Sequence, residues 1–300
     1  MPTQVHWDAL LTQWSMAYSN GTLIADQVCP VLPVAKESDK YLVFGREAFS
    51  LPRTLRALRT APAEIDWSVS DEDYHCEEYA LAQPLDDREI DNADAQLQIE
   101  RSTVELLTDV LLLDHEKRVA DILTSASTFT QNAEPDPNWN EASADPVGNV
   151  LAGKEVVRAA IGRNPNVMVL PASVLASLRT CDAIIDMVKY SAVGKVTINL
   201  LRNLFEIDNL IAADAVYNSA AEGDTFTTTD VWGDTVGLYY MGPATGQKQI
   251  SAAKTFRAQP FKSWKTRDER IRSNRYHVSI IEDTVVTCAA AGYLLTNCNA

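Results

Sequence analysis

Residues able to do acid–base or nucleophilic chemistry are few and scattered in this chain. The 300-residue sequence has four histidines and five cysteines, and no two cysteines form a C-x-x-C pair. The G-x-S-x-G turn that presents a hydrolase nucleophile is missing. Ser251 and Lys254 match the spacing S-x-x-K, but the partner motifs of enzymes that use this pair are absent. We therefore predict no catalytic site and no enzyme activity.

Three further motifs resemble ligand sites but have the wrong spacing. The run from Gly242 to Lys248 resembles a phosphate loop, but no Ser or Thr follows the lysine, which favours a turn between strands. Residues 136–147 place oxygen ligands as a calcium loop does, yet Glu141 and Val147 replace the required glycine and glutamate. Residues 75–77 could supply metal ligands, but adjacent strand residues point to opposite faces. We expect no cofactor and no metal.

Charge is more informative than these motifs. The formal net charge is −15, which argues against tight binding to nucleic acid, because such binding needs lysine and arginine to displace counterions. Residues 262–275 oppose the trend with six basic and two acidic residues. We expect this stretch to form a subunit interface with acidic neighbours or a solvated face. Contact with nucleic acid is the alternative.

The pattern of residues 37–85 predicts a long two-stranded hairpin that extends away from the rest of the chain. We call it the excursion, and its two strands, or limbs, carry opposite charge. The first limb begins with a strand at Tyr41, and the second alternates apolar and polar residues from 65 to 70. A hairpin of this kind has too little apolar surface to fold alone and should lie on something else. The residues on which this charge difference rests are Arg46, Arg53, Arg56 and Arg59 in the first limb, then Glu64, Asp66, Asp71, Glu72, Asp73, Glu77 and Glu78 in the second.

Residues 91–126 predict an uninterrupted helix that would serve as a spine. Asp91 and Asn92 offer an N-cap, and no glycine or proline follows within the segment. A helix of this size would be about 45 Å long. Its expected buried stripe comprises Leu97, Val104, Leu107, Leu111, Val119 and Ile122.

The remaining segments predict an arm, a polar loop and a compact α/β region. Residues 1–36 have the pattern of an arm, and the sequence shows no signal peptide and no membrane-spanning run. A proline-containing polar loop covers 131–148. Helices are expected over 155–161, from 173 to 178 and over 197–204, with strands at 166–171, 210–216, 231–233 and 236–241. Residues 259–283 should be extended, and 284–295 should form a final strand region.

The order of these elements, together with local motifs, resembles the tailed-phage major capsid protein family, whose fold recurs in encapsulins and the herpesvirus capsid floor. The most specific part is Gly162–Pro171, which resembles the family's segment of helix, Pro-Asn and a strand ending in proline. Further matching pieces follow in the family's order at 189–190, 196–205, 214–218, 223–224, 231–233, 238–240, 254–256, 283–286 and 292–294.

The resemblance implies an α+β fold with the family's named parts. Residues 1–36 would be the N-arm, 37–85 the extended E-loop, and 86–149 the peripheral P-domain with its spine helix at 91–126. Residues 150–258 would be the compact A-domain. Residues 259–283 would return to the P-domain as a strand, and 284–300 would supply the A-domain return strand and the C-terminus.

The resemblance also implies a function and partners. The chain would assemble with itself into hexamers and pentamers of an icosahedral shell around the double-stranded DNA genome of a tailed phage, touching packaged DNA only by weak non-specific contact. No cleaved scaffolding segment is evident, so we expect a separate scaffolding protein and a portal protein; a decoration protein stays open. We expect no membrane contact, a place in the virion capsid, and assembly with reduced thiols in the host bacterial cytoplasm.

The sequence is also compatible with two alternatives. An encapsulin-type compartment with a protein cargo has the same fold, and an α/β enzyme formed by residues 150–258 is the rival from another class. For a shell, inter-subunit contacts are expected at Arg53, Arg56, Arg59, Glu64, Asp71, Glu72, Asp73, Lys265, Arg267, Arg270, Arg272 and Arg275.

Overall fold

The computed structural model describes residues 22–44, 54–56, 58–59, 69–92, 96–141, 143–189, 196–220, 224–243 and 250–299. Over these residues the chain has two larger sheets, of four and five strands, and two smaller sheets of two strands each. Helices pack against both larger sheets. The predicted α+β class is confirmed.

The elements are numbered here in chain order. The strands are β1 Val31–Pro33, β2 Ser38–Phe44, β3 Val69–His75, β4 Glu77–Asp86, β5 Asn132–Ala133, β6 Val167–Pro171, β7 Asn209–Ala213, β8 Val216–Asn218, β9 Thr228–Asp230, β10 Val236–Tyr239, β11 Ala253–Asp268, β12 Ser273–Val286 and β13 Gly292–Leu295. The helices are α1 Ala25–Val28, α2 Asp87–Asp91, α3 Gln96–Leu123, α4 Pro146–Ile161, α5 Ala172–Thr180, α6 Asp182–Val188 and α7 Ile198–Phe205.

The four-stranded sheet has the order β1-β11-β12-β4 and is covered on one face by α3. β11 and β12 form a long antiparallel hairpin, β4 pairs antiparallel with β12, and β1 pairs parallel with β11. A small apolar core joins this sheet to the helix. It contains Leu85, Val104, Leu107, Leu111, Tyr276 and Val278.

The predicted spine helix exists but has different ends. α3 has 28 residues, from Gln96 to Leu123. The expected N-cap at Asp91 and Asn92 is wrong, because Asp91 ends a separate short helix, α2, and Asn92 is its C-cap. Asp86 starts α2 with a capping box completed by Glu89, a local arrangement that competes with one continuous helix. In the expected stripe, Val104, Leu107, Leu111 and Val119 are buried and Ile122 is half-buried, whereas the side chain of Leu97 lies outside the described part.

The region expected as one extended segment at 259–283 is a hairpin that reaches beyond both bounds. β11 already begins at Ala253 and β12 continues to Val286, with a turn at 269–272 between them. Arg272 in this turn has φ 48°, in the left-handed region. The expected boundaries at 258/259 and 283/284 therefore fall inside strands, because cross-strand pairing from Ala253↔Val286 onward extends the ladder past the apolar pattern visible in either strand.

The five-stranded sheet has the order β5-β13-β10-β6-β7 and carries the main core. β6 is buried along its whole length, as predicted for a strand ending in Pro171. α4 is longer than the predicted 155–161: Asp145 accepts a hydrogen bond from the Gly148 amide, Pro146 occupies the first turn, and Gly162 ends the helix with φ 67°. The expected strand region at 284–295 is divided into the end of β12, a 3₁₀ turn at Ala289–Ala291, and β13.

Candidate assembly interface

The hairpin formed by β2 and β3 is anchored to the body of its own subunit at its base. The two strands pair antiparallel from Ser38↔His75 to Phe44↔Val69, as expected for the two limbs of the excursion. Tyr74 stacks on Phe256 of β11 with ring centroids 4.4 Å apart, and Tyr41 lies 5.6 Å from the same ring. These aromatic contacts fix the base of the hairpin on the four-stranded sheet. The later part of the second limb, β4, belongs to that sheet.

Two leucines in the segment that joins β2 to β3 are largely exposed. Leu55 is 82% exposed and Leu58 is 92% exposed. Arg56 and Arg59 are exposed beside them, and Arg59 has φ 68°. Single exposed leucines are common, but two on one excursion with exposed cations form a surface suited to contact with a partner. Arg53 and Glu64, also expected in such contacts, lie outside the described residues.

The predicted acidic limb is partly neutralised within its own subunit. Asp71 pairs with Lys40 across the hairpin, which lowers the pKa of the Asp71 carboxyl. Glu72 accepts a hydrogen bond from the Tyr41 hydroxyl at 2.7 Å. Asp73 is exposed and lies near Lys40, whose pKa is raised mainly by Asp71. These contacts hold the hairpin together and leave less unbalanced charge than the sequence alone shows.

The basic stretch, residues 262–275, is also partly neutralised by carboxylates of its own subunit. Lys265 pairs with Glu100 of α3 at 3.1 Å, Arg267 pairs with Asp87, and Arg275 lies 3.6 Å from Asp268. Arg270 and Arg272 are exposed in the β11–β12 turn, and no ion pair joins either of them to another described residue. The structure thus places the predicted contact residues that it describes on two separate hairpins, with Arg270 and Arg272 exposed in the turn of the second.

A cluster of charged side chains lies beneath these surfaces, where α1, α3 and the long hairpin meet. We call it the junction. Its centre is Glu282 of β12, whose side chain is fully buried. The Arg118 Nη2 atom is 3.0 Å from one Glu282 oxygen, and the Arg257 Nε atom is 2.9 Å from the other. The members of the junction are Asp26, His115, Glu116, Arg118, Arg257 and Glu282.

Two of the junction carboxylates, Glu282 and Asp26, are held ionised. Burial alone would raise the pKa of Glu282, but His115, Arg257 and Arg118 lower it to about 2. Asp26 on α1 accepts hydrogen bonds from Arg257 at 3.0 and 3.3 Å. Its pKa is likewise lowered to about 2, because contacts with His115 and Arg257 outweigh burial. The guanidinium of Arg118 also stacks over the Tyr79 ring at 3.5 Å, which ties β4 to the cluster.

Glu116 connects the junction to the main core. Its Oε2 atom accepts hydrogen bonds from the Ile24 and Ala25 amides at 2.9 and 2.7 Å, so it caps the start of α1. Its Oε1 atom accepts from Trp232 Nε1 at 2.6 Å. Burial raises the pKa of this carboxyl, opposed by those three donors. One side chain of α3 therefore holds the N-terminal segment and the region between β9 and β10.

Sequence reasoning missed the junction because its partners are far apart along the chain. Asp26 and Arg257 are separated by 231 positions. One signal was available: His115 lies four residues after Leu111 and four before Val119, so a titratable residue occupies the buried stripe of the helix. Such a position needs a polar partner in the interior.

The described residues hold no group of three or more potential metal ligands, and none of their helices could cross a membrane. The Ser251 hydroxyl donates to the Ala253 carbonyl at 2.9 Å and is fully buried, which suits a structural role. An open groove of about 560 Å³ beside α6 and α7 is lined by apolar and amide side chains and the Thr197 hydroxyl, with no acid, base or thiol among them. It offers no catalytic constellation for the enzyme alternative.

Comparison with known proteins gives the class of this fold. Over 98% of both chains it matches a crystal structure of a phage-related protein from Bordetella bronchiseptica RB50, with a TM-score of 0.80 and 25% identity. It also matches the capsid of Myoviridae phage XM1 over 94% of both chains, with a TM-score of 0.57 and 11% identity. The fold is therefore that of the tailed-phage capsid proteins. No family model matches the sequence.

Sequence relatives then identify the family. The chain is 33% identical over 247 residues to the major capsid protein of Burkholderia phage BcepMu, covering 81% of this chain and 78% of the relative. It is 27% identical over 238 residues to the major capsid protein of Pseudomonas phage JBD67, covering 78% and 76%. The chain belongs to the phage major capsid proteins, which confirms the predicted resemblance and favours it over the encapsulin alternative. It is a structural protein of the phage capsid.

Proposed function

We propose that this chain builds a closed icosahedral shell by placing its β2–β3 hairpin on a second copy of itself, with no catalytic role. The subunits would form hexamers and pentamers around the double-stranded DNA genome. The division into N-arm 1–36, E-loop 37–85, P-domain 86–149 and an A-domain that runs from 150 to the start of β11 is part of this proposal.

The exposure of Leu55 and Leu58 is the observation that carries the proposal. Burying a leucine side chain is worth about 1.5–3 kcal/mol. The base of the hairpin is fixed by Tyr41, Tyr74 and Phe256, so the leucines are presented by an anchored element. A neighbouring subunit that covers both side chains would gain this apolar stabilisation at every repeat of the shell.

Charged residues would set the register of these contacts. Exposed ion pairs are worth about 0–1 kcal/mol each, so they orient subunits more than they hold them together. Lys265, Arg267 and Arg275 already have partners in their own chain. Within the basic stretch, we therefore expect Arg270 and Arg272 to contribute most to the contacts between subunits. In the excursion, the proposed contacts remain Arg53, Arg56, Arg59, Glu64, Asp71, Glu72 and Asp73.

Charge and thiol state support the proposed contact with DNA and the proposed place of assembly. The net charge of −15 supports only weak, non-specific contact with packaged DNA. The five cysteines are unbridged, which is consistent with assembly in the bacterial cytoplasm. A separate scaffolding protein and a portal protein complete the proposal.

The test is a Leu55→Asn/Leu58→Asn double variant, expressed under the conditions in which the wild-type chain forms shells. We expect its subunits to keep the wild-type circular dichroism spectrum and thermal midpoint but to remain as small oligomers in sedimentation velocity. Leu151→Asn is the control, because Leu151 is 45% exposed on α4, away from the hairpin. Normal shells from the double variant would overturn the proposal.

A further inference from the structure

The His115 side chain lies between two carboxylates in the junction. It is 3% exposed, and its Nε2 atom is 3.1 Å from Asp26 Oδ1 on α1. Its Nδ1 atom is 2.6 Å from Glu282 Oε1 on β12, a close contact without the alignment of a hydrogen bond. Both ring nitrogens thus face carboxylate oxygens.

These short distances favour a second proton on the ring. A neutral imidazole has one N–H group and one lone pair, whereas the imidazolium has two N–H groups. If His115 were neutral, one nitrogen would hold its lone pair close to a carboxylate oxygen in a buried site. Only the charged ring is attracted to both neighbours.

Charged groups from every element packed against the ring surround it. They determine which of the two carboxylates moves away when His115 loses its proton. Glu282 would keep Arg118 and Arg257, and its backbone is fixed in the sheet between β11 and β4. Asp26 would keep only Arg257, and its side chain is 47% exposed on a helix of four residues. The titratable and charged groups are Asp26 and Cys29 near α1, Asp114, Glu116 and Arg118 on α3, Tyr79 on β4, Arg257 on β11 and Glu282 on β12.

We infer that His115 is a proton-dependent latch that holds the segment Ile24–Cys29 against helix α3. With the ring charged, Asp26 is drawn onto the helix while Glu116 caps the same segment. When the ring loses its proton, the attraction to Asp26 is lost and the segment loosens. Because this segment precedes β1 in the chain, the latch acts within the predicted N-arm, where its described part packs on the body of the subunit.

The direction of the pH effect follows from linkage. Burial lowers the pKa of His115, but Asp26 and Glu282 outweigh it, so the pKa is raised above the ordinary value near 6.5. The stabilisation is therefore complete below the ordinary value and is lost as pH rises through the raised one. Asp26 and Glu282, each with a pKa of about 2, stay ionised throughout this range.

Hydrogen–deuterium exchange on full-length unassembled subunits tests the latch. The amides of Val28 and Cys29 bond to Ile24 and Ala25 carbonyls, and those of Ile24 and Ala25 bond to Glu116, so the segment reports its own docking. After correction for intrinsic rates, we expect its exchange to accelerate on the order of tenfold between about pH 6 and pH 9, relative to β6. Equal protection at both pH values would overturn the inference.

Variants separate the latch from general stability. His115→Gln cannot titrate, so we expect fast exchange of the segment at pH 6 and no further change at pH 9. His277→Gln is the matched control, since His277 stacks on Trp264 away from the junction, and it should keep the wild-type profile. If His115→Gln fails to fold, Asp26→Asn tests the same inference. We expect this variant to lose the pH dependence of exchange in the segment Ile24–Cys29. A folded variant of either kind with the full wild-type pH response would contradict the latch.

Discussion

Glu116 shows how one buried side chain joins parts of this subunit that are distant in sequence. Its two oxygens accept three hydrogen bonds, two from the backbone that begins α1 and one from Trp232. The sequence shows only a glutamate next to a histidine on a predicted helix. Neither its burial nor its partners follow from local pattern, because the bonded groups lie more than 90 positions away.

Replacement of Glu116 by Gln should lower the free energy of unfolding by about 1–3 kcal/mol. The amide keeps one acceptor oxygen, but its NH₂ group must face a donor that the carboxylate previously satisfied. Urea unfolding of unassembled subunits measures this loss.

Glu105→Gln is the control for that measurement. Glu105 lies on the same helix and pairs with Arg101 near solvent. We expect a change below about 0.5 kcal/mol for this variant, as for other exposed pairs. An equal decrease in the free energy of unfolding in the two variants would show that the Glu116 hydrogen bonds stabilise the subunit no more than an exposed ion pair does.

At the scale of elements, sequence patterns predicted which helices and strands exist better than they predicted the first and last residue of each. The spine helix, β6 and the two limbs of the excursion could be predicted because each has a strong local period or motif. The helix start was misplaced because the capping box at Asp86 creates a separate short helix. The ends of β11 and β12 were misplaced because a ladder extends as far as its partner strand allows, which a single strand does not reveal.

One hydroxyl joins the five-stranded sheet to the end of the spine helix. Tyr239 of β10 is fully buried and donates to the Leu123 carbonyl at 2.7 Å. Tyr239→Phe leaves this carbonyl without its donor, and we expect a loss of about 1–2 kcal/mol in the free energy of unfolding.

Tyr240→Phe provides the comparison one position along the chain. Tyr240 is half-buried, and its hydroxyl meets Arg163 at the surface. Chemical denaturation should show a change below about 0.5 kcal/mol. If Tyr240→Phe lowered the free energy of unfolding as much as Tyr239→Phe, the hydrogen bond from Tyr239 to the helix end would have no special stabilising role.

At the scale of the whole molecule, the order of elements was the strongest information in the sequence. The motifs from 162 to 294 follow one another as they do in phage major capsid proteins, and two curated relatives support the same family. The charge pattern predicted one excursion with oppositely charged limbs and one basic stretch at 262–275. It could not show that Lys265, Arg267 and Arg275 meet carboxylates of their own chain, because these contacts depend on how the long hairpin lies on α2 and α3.

Reversal of Arg56 to Glu should impair shell assembly while leaving the subunit fold unchanged. In this proposal Arg56 meets carboxylates of an adjacent subunit, and reversal would replace attraction by repulsion at every copy. Sedimentation velocity measures assembly and circular dichroism measures the fold. Arg202→Glu makes the same change in net charge on the exposed side of α7 and should assemble normally. Normal particles from Arg56→Glu would contradict the proposed charge contact.

A cryo-electron microscopy reconstruction of the particles formed by this chain tests the central claim most directly. We predict a closed shell of hexamers and pentamers in which Leu55 and Leu58 of each subunit are buried against a neighbouring copy. Particles in which both leucines remain exposed to solvent, or small oligomers with no closed shell, would contradict it.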